Sequence, residues 1–279
     1  MLAIPSLILI SIASWFMNAN DQLLILINSV AGRSWLFDNL ISLFLENDLA
    51  KAGVIGACFL AAWYGAKGQA ATARRKILLT TLMAAVCVIA TTKVISKTVF
   101  LPRPEIQSRK IFQLDGDQLV EMKRMNVRIP LDESSQKEYR AILSGDVQTN
   151  DLGSFPSDHA GFFLVISLGI FLASRRLGLL ALGWTVFVIL AGKMISAQHT
   201  PLDIAAGALV AVAMLAAFRF VAARKLFDRM LERISQLTIR HAAFSSAVIF
   251  AVAFEMASTM VHVREFLGLL AAMKRHGLG

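Results

Sequence analysis

Charged residues are scarce in this sequence, and hydrophobic residues fill the space they leave. Of the 279 residues, 17% are charged and 56% are hydrophobic, and the mean hydropathy is +0.62. Ordinary soluble domains are about one quarter charged. The chain is therefore too apolar for an ordinary soluble domain, and it is long enough for several membrane spans.

Cysteines, repeats and a targeting leader are also scarce or missing. The two cysteines, Cys58 and Cys87, lie inside apolar runs, where a thiol behaves as a small core residue. Neither a disulfide framework nor a cysteine metal site is expected. No internal repeat or low-complexity tract is present. The first apolar run lacks the basic leader and cleavage site of a signal peptide, so we interpret it as a membrane anchor.

Apolar runs recur along the chain and predict an all-α, polytopic transmembrane helical bundle of about six spans. The runs cover residues 2–16, 52–66, 77–92, 160–173, 178–195, 204–223 and 242–261. Interfacial helices are expected in two further places. One is at residues 18–48, where an ordinary loop is an equal alternative, and the other is an amphipathic segment at residues 224–237.

Basic residues in the short connections predict the orientation of the bundle. They follow the second, fourth and sixth runs, so those connections are expected in the cytoplasm, and the connection of residues 101–156 is expected to face outward. That connection is too long for a plain linker and should hold structure of its own. We predict a membrane domain at residues 1–240, with an outward insertion at 105–153, and an additional hydrophobic segment at 241–279.

The net charge of +9 fits this topology and an attraction to anionic lipid. The expected partners are therefore the bilayer and a lipid substrate. Nucleic acid is not expected as a partner, and no oligomeric state is predicted.

Polar residues gather at the outward ends of three segments that are distant in the chain. The segments are "KVISKTVFLPRP" (93–104), "FPSDHA" (155–160) and "GKMISAQHTPLDIAAG" (192–207). They carry Lys97, Arg103, Ser157, His159, Lys193, His199 and Asp203. Each has a structural role available by itself, such as helix capping or a lysine that reaches the interface. Together, beside helix starts that attract anions, they predict a phosphate site.

The two histidines suggest what the site does to phosphate. His199 lies four positions before Asp203, so the carboxylate can hold one ring nitrogen while the other attacks phosphorus. His159, at the neighbouring helix start, can protonate the departing oxygen. The pattern predicts covalent phosphoryl transfer without a metal.

These segments resemble the three motifs of the type 2 phosphatidic acid phosphatase superfamily, which comprises integral-membrane lipid phosphatases. The family pattern is Lys, six residues, Arg-Pro; then Pro-Ser-Gly-His; then Ser-Arg, five residues, His, three residues, Asp. The resemblance implies His199 as the nucleophile, Asp203 as its orienting carboxylate and His159 as the general acid. It implies Arg103 and Ser157 as phosphate ligands. It also implies an extracytoplasmic site that needs neither metal nor cofactor.

Three positions depart from the family pattern. Five residues instead of six separate Lys97 from Arg103, and Lys193 replaces the arginine of the third motif. Lys193 keeps the positive charge but loses the bidentate fork of arginine. Asp158 stands where a small residue is expected, and because an acid would repel phosphate we interpret it as a helix-start residue. Lys97 and Lys193 are retained as predicted phosphate-binding residues.

A site at the outer interface suits a lipid whose phosphate lies at that depth. The segments "PSDH" and "HTPLD" resemble those of bacterial undecaprenyl diphosphate phosphatases, so undecaprenyl diphosphate is the favoured substrate. Phosphatidate, phosphatidylglycerol phosphate and lipid A phosphates are alternatives. A lipid phosphotransferase with the same phosphohistidine, and a transporter or silent binding protein, are alternatives of other classes. The expected location is the bacterial inner membrane, with the site facing the periplasm or the cell exterior.

Overall fold

The computed structural model describes residues 3–99, 101, 103–104, 114–115, 118–119 and 153–257. Helices make up nearly all of this part of the chain. They are α1 (Ala3–Asn28), α2 (Trp35–Glu46), α3 (Asp48–Tyr64), α4 (Gly68–Thr98), α5 (Asp158–Ala173), α6 (Arg175–Trp184), α7 (Ala191–Ile195), α8 (Pro201–Ala222), α9 (Lys225–Arg240) and α10 (Ala242–Ala257). A π-helical segment, Thr185–Leu190, joins α6 to α7. The predicted helical fold is confirmed.

A short hairpin is the described part of the predicted insertion at residues 105–153. Strands β1 (Leu114–Asp115) and β2 (Gln118–Leu119) are antiparallel, with Leu114 opposite Leu119. The rest of the insertion lies outside the described residues, and so do residues 258–279 of the predicted C-terminal segment. Helix α10 begins at Ala242, and the domain boundary at residue 240 stays a prediction.

Three helices are long and apolar enough to cross a membrane, namely Gly68–Thr98, Arg175–Ile195 and Pro201–Ala222. Helices α5 and α10 are apolar but shorter. At about 1.5 Å per residue, α5 is about 24 Å long, which is less than the roughly 30 Å of hydrocarbon in a bilayer. The three long helices support a membrane protein, and the six-span count is not confirmed within the described residues.

The segment at residues 18–48 is mostly helical. Residues up to Asn28 continue α1, and α2 begins after Ser34, whose hydroxyl oxygen accepts a hydrogen bond from the Phe37 amide at 3.4 Å. Such a cap satisfies one of the free N–H groups at a helix start. Helices therefore occupy most of this segment in place of the alternative loop, and their position at a membrane interface stays a prediction.

Helix α5 forms the centre of the bundle. It packs against α4, α6 and α8, and most of its side chains are buried, including Phe162, Phe163, Ile166 and Ile170. Apolar residues surround the whole helix, which is typical of a helix enclosed by others. The polar start of α5 is thereby held between the end of α4 and the start of α8.

Two glycines allow this close packing beside the motif residues. A Cβ atom on Gly207 would lie 2.3 Å from the carbonyl oxygen of Ser157, and one on Gly161 would lie 2.7 Å from Cγ1 of Val88. Small residues commonly let membrane helices approach each other in this way. A hydrogen bond of 3.0 Å from the Ser157 amide to the Asp203 carbonyl joins the two helix starts. The second and third motifs are therefore held together by backbone.

The opposite end of the bundle carries the predicted amphipathic helix. Helix α9 packs against α4, α8 and α10. Its Asp228 pairs with Lys76 near the start of α4, and Thr238 accepts a hydrogen bond of 2.9 Å from Nη1 of Arg75. The helix is confirmed, and its contact with the cytoplasmic leaflet stays a prediction.

Candidate active site

The segments that carry the three motifs meet at one end of the bundle. The chain beyond α4 reaches Leu101 and Arg103, and it is tied to the segment before α5 through Ser154. The Ser154 amide donates to the Leu101 carbonyl at 2.7 Å, and the Ser154 hydroxyl donates to the same oxygen at 3.1 Å. Residues 196–200 then connect α7 to α8 beside them. Residues far apart in the chain are thus neighbours here.

His199 is buried in this cluster and has a defined orientation. Its Nδ1 lies 3.0 Å from the carbonyl oxygen of Ser154 and 3.9 Å from Oδ2 of Asp203. Because a carbonyl oxygen can only accept, Nδ1 carries the hydrogen and the neutral ring keeps a lone pair on Nε2. The sequence pointed to Asp203 as the group that holds this ring, and it missed the nearer acceptor, Ser154.

Asp203 is fixed in place by the start of its own helix. Its Oδ2 accepts a hydrogen bond of 2.7 Å from the Thr200 amide, and its amide donates to Oγ1 of Thr200 at 3.1 Å. This reciprocal pair is a capping box, and Pro201 occupies the first turn, where its fixed φ suits a helix start. The carboxylate is therefore held beside His199 without a direct hydrogen bond to it, and its orienting role stays a prediction.

His159 faces His199 across the site, with ring centroids 6.3 Å apart. Its Nδ1 lies 2.8 Å from Oδ1 of Asp158, and Oδ2 of Asp158 lies 3.6 Å from Nζ of Lys93. Asp158 is the first residue of α5, as its interpretation as a helix-start acid requires. The structure adds that its carboxylate contacts the His159 ring.

Ser157 lies at the same helix start and is fully buried. Its hydroxyl oxygen accepts a hydrogen bond of 3.2 Å from the Ala160 amide and so caps α5. A hydroxyl that accepts in this way still has its own hydrogen to donate. Phosphate binding by Ser157 stays a prediction that the geometry permits.

Positive side chains shape the electrostatics around His199. Burial lowers the pKa of His199 well below its ordinary value, and the positive charge of Arg103 lowers this pKa further. Lys193 acts in the same direction, whereas Asp158 opposes it. Lys193 is itself buried, and its Nζ donates to Oε1 of Gln198 at 2.5 Å. His199 is therefore neutral near pH 7, which leaves the Nε2 lone pair available.

Residues 50–217, more than half of the chain, match the PAP2 superfamily. The chain belongs to the PAP2 superfamily. The matched range contains all three motifs. Members of this superfamily are phosphatases, which supports an enzyme that hydrolyses phosphate esters. No curated protein and no solved structure matches the chain significantly.

Lys97 is the lysine predicted to bind phosphate in this PAP2 site. It is exposed in the last turn of α4. Lys93, one turn earlier on the same helix, is the lysine that contacts Asp158. The phosphate-binding role of Lys97 stays a prediction.

Lys51 is a charged residue of this PAP2 protein that sequence reasoning missed. It is buried in the first turns of α3, its Nζ lies 2.6 Å from Oδ1 of Asp48, and its charge acts on His159. The sequence feature that could have identified Lys51 is a lysine at the edge of an apolar run with an aspartate three residues before it. Charged residues are rarely buried unless they are paired.

The cluster also has the spacing of a metal site. Asp158, His159 and His199 each offer one ligand atom, and these atoms lie within 4.8 Å of one another. However, the positive charges of Arg103 and Lys193 act on the same histidines. Positive charge around the cluster favours an anion over a cation, as phosphate chemistry requires.

Proposed function

We propose that this PAP2 protein is a membrane lipid phosphatase that forms a phosphohistidine on His199. The observation that carries the proposal is the pair of facing histidines, each held through Nδ1. His199 is held by the Ser154 carbonyl and His159 by the Asp158 carboxylate. Each ring thus keeps Nε2 for chemistry, and a phosphorus atom between them meets a nucleophile on one side and a proton donor on the other.

The proposed reaction has two balanced steps. In the first, Nε2 of His199 attacks phosphorus, the bond from phosphorus to the leaving oxygen breaks, and that oxygen takes a proton from Nε2 of His159. In the second, His159 takes a proton from a water molecule whose oxygen attacks phosphorus, and the N–P bond breaks. Inorganic phosphate leaves, and both histidines return to their starting states.

The phosphate oxygens are proposed to lie against cations and a helix start. Arg103 and Lys193 supply positive charge, and Ser157 supplies a hydroxyl hydrogen at the start of α5. Donors placed in advance around the phosphoryl group stabilise the charge that develops in the transition state. Lys97 stays in the proposal as a further phosphate-binding residue, and because it is exposed in the last turn of α4 its contribution is expected to be smaller than that of Lys93.

The substrate is proposed to be a lipid, with undecaprenyl diphosphate favoured. The motifs lie at one end of a bundle that contains three helices long and apolar enough to cross a membrane. A lipid can place its phosphate at this end while its tail remains in the bilayer. The outward face of the bacterial inner membrane is the proposed location of the site, because the basic connections lie at the other end.

The proposal is tested by phosphate release from purified protein. Undecaprenyl diphosphate, phosphatidate, phosphatidylglycerol phosphate and a lipid A phosphate are compared, and the first is expected to give the highest kcat/KM. Vanadate should inhibit, and EDTA should have no effect. An acid-labile, base-stable phosphoenzyme should form in the wild type and be missing in His199→Ala. Loss of activity in EDTA with recovery in magnesium would contradict the metal-independent mechanism.

A second arm separates hydrolysis from transfer. The same assays are repeated with candidate acceptor lipids, and phosphate is expected to appear in water at an unchanged rate. A phosphorylated acceptor that forms at the expense of free phosphate would instead establish a lipid phosphotransferase.

The orientation of the site is tested by thiol labelling in cells. In a chain whose Cys58 and Cys87 are replaced by alanine, cysteines at Gly116 and Ser144 should react with an impermeant reagent from outside. A cysteine at Gln69, near the start of α4, should react only after permeabilisation. The reverse pattern would place the site on the cytoplasmic face.

A further inference from the structure

We propose that Asp158 is a positioning residue for the general acid, orienting His159 and favouring its protonated form, with Lys93 holding the carboxylate. The proposal deepens the proposed function and rests on it, since it requires His159 to protonate the leaving oxygen. It gives a role in the reaction to a residue that the sequence explains as a helix-start acid.

The contacts define which proton of His159 is transferable. Oδ1 of Asp158 lies 2.8 Å from Nδ1 of His159, and the same oxygen accepts the His159 amide at 2.8 Å. A carboxylate that accepts from Nδ1–H leaves Nε2 as the nitrogen that gains and loses the proton. The hydrogen bond also limits rotation of the ring. Nε2 is thereby kept available on the ring that faces His199.

A carboxylate is needed here because the surroundings disfavour a positive imidazole. The His159 side chain is only 17% exposed, and a general acid must carry its proton before the leaving oxygen departs. Burial lowers the pKa of His159 to about 4 and the ammonium of Lys193 acts in the same direction, whereas the carboxylate of Asp158 raises this pKa. Without Asp158, fewer enzyme molecules would hold the proton that the first step consumes.

Lys93 explains how an acid can lie beside a phosphate site. Its Nζ is 3.6 Å from Oδ2 of Asp158, the oxygen that is turned away from the His159 contact. A lysine at this distance offsets the negative charge that would otherwise repel phosphate. Asp158 therefore acts through His159 and needs no contact with the substrate.

The chain offers a matched control at its opposite end. Asp228 lies in the first turn of α9 and pairs with Lys76 of α4. In the same way, Asp158 lies in the first turn of α5 and pairs with Lys93 of α4. Asp228→Asn therefore removes a helix-start charge and an ion pair with α4, but no contact with a site histidine.

The experiment compares two substrates that differ in their need for a proton. One is a long-chain alkyl phosphate, whose alkoxide is a poor leaving group. The other is a nitrophenyl phosphate that carries the same alkyl chain, whose nitrophenolate departs without protonation. First-turnover rates are measured for wild type, Asp158→Asn, Asp158→Ala and Asp228→Asn. The ratio of the two rates within one preparation does not depend on how much of the protein is folded.

Asp158→Asn is expected to slow the alkyl phosphate about 10- to 100-fold, up to the lower limit of the roughly 10²- to 10⁴-fold that general acid catalysis supplies, because Asp158 acts through His159 and is not itself the acid. The nitrophenyl phosphate should change by less than about threefold, and Asp228→Asn should leave the ratio as in wild type. Equal losses for both substrates would overturn the proposal and leave Asp158 as a helix-start acid only.

A double variant tests whether Asp158 acts through His159. Adding Asp158→Asn to His159→Ala should produce no further loss, because residues that act as one unit have non-additive effects. A full additional loss would overturn the proposal. If His159→Ala by itself changes both substrates equally, the general acid in the proposed function is wrong. If His159→Ala shows the substrate difference and Asp158→Asn does not, His159 is the general acid and Asp158 does not position it.

Discussion

The two ends of the helical bundle carry their polar residues in opposite ways. At the site end, His199, Asp203 and Lys193 are buried, with at most 7% of each residue exposed. At the other end, basic residues such as Arg229 and Arg233 are exposed on α9. Burying a polar or charged group costs free energy unless partners compensate for it, whereas an exposed charge costs little. A buried cluster of polar groups therefore points to chemistry at the site end and exposed charge on α9 indicates topology, whereas the buried arginine at the far end, Arg75, is bonded to Thr238.

The same comparison holds for two ion pairs made by α4. Lys76 pairs with Asp228 at one end and Lys93 with Asp158 at the other. Among the residues that the structure describes, only the second aspartate also holds a histidine ring. Two similar aspartate–lysine pairs can thus have different roles. The difference is that Asp158 also contacts the His159 ring.

The largest expected effect comes from replacing His199 at the site end by alanine, with a histidine at the other end replaced as a control. His199→Ala removes the proposed nucleophile and should lower kcat by more than about 10⁴-fold, as removal of a central catalytic group does. His241→Ala, at the exposed end of α9, should keep wild-type kcat. Phosphate release at saturating lipid phosphate measures both. Substantial turnover by His199→Ala would show that His199 is not the nucleophile.

Arginines offer the next comparison. Arg103→Ala should lower kcat/KM by about 10- to 150-fold, since a hydrogen bond to a charged group contributes about 1.5–3 kcal/mol. Arg74, which is partly exposed and donates to the Gly65 carbonyl at 3.3 Å, lies at the other end, so Arg74→Ala should change kcat/KM less than twofold. Equal losses in Arg103→Ala and Arg74→Ala would show that Arg103 acts only through the net positive charge of the protein and does not bind phosphate.

The pH dependence of kcat/KM in wild type and in Arg103→Ala gives a sharper test of the role of Arg103. Burial and the positive charge of Arg103 both lower the pKa of His199, so the wild-type acid limb of kcat/KM should lie below the ordinary histidine pKa of about 6.5. Removing the positive charge makes protonation of His199 easier, which moves the limb of Arg103→Ala to higher pH. Ionisation of the substrate is common to both enzymes, so the shift between their profiles reports the protein. A limb that stays in place would contradict this account.

A smaller effect separates the two lysines on α4. The structure places Lys93 against Asp158, and the pair is partly exposed, so Lys93→Ala should lower kcat/KM about two- to fivefold. Lys97→Ala should have less effect, because Lys97 is exposed beyond that contact. The opposite order, measured on membrane-inserted protein, would favour the motif alignment predicted from the sequence.

The smallest expected effect on catalysis comes from a buried arginine at the far end. The guanidinium carbon of Arg75 lies 5.2 Å from the centre of the Trp63 ring, and Arg75 bonds to Thr238. Arg75→Ala should lower stability by about 1–3 kcal/mol and leave kcat of the folded protein unchanged. Thermal unfolding in detergent and phosphate release check the two parts. A large loss of kcat without a loss of stability would contradict the assignment of catalysis to the site end and of a purely structural role to Arg75.

Much of this protein follows from local features of its sequence. Apolar composition and run length determined the membrane class, because the bilayer sets a minimum length for a spanning helix. The start of α8 could be read directly, since the Thr200–Asp203 capping box involves residues only three positions apart. The three motifs likewise identified both histidines, Asp203 and Arg103 as candidates, because their residue types and spacing lie within short segments.

Only the tertiary structure decided which of these groups touch. The Ser154 carbonyl holds His199 although 45 residues separate them, and backbone carbonyls leave no signal in residue types. Lys93 and Lys97 share a helix face, so local spacing cannot choose between them. The choice between them depends on how α4 packs against α5, and the two helices approach closely where a Cβ atom on Gly161 would meet Val88. The same packing places Asp158 against His159 and Lys93 together.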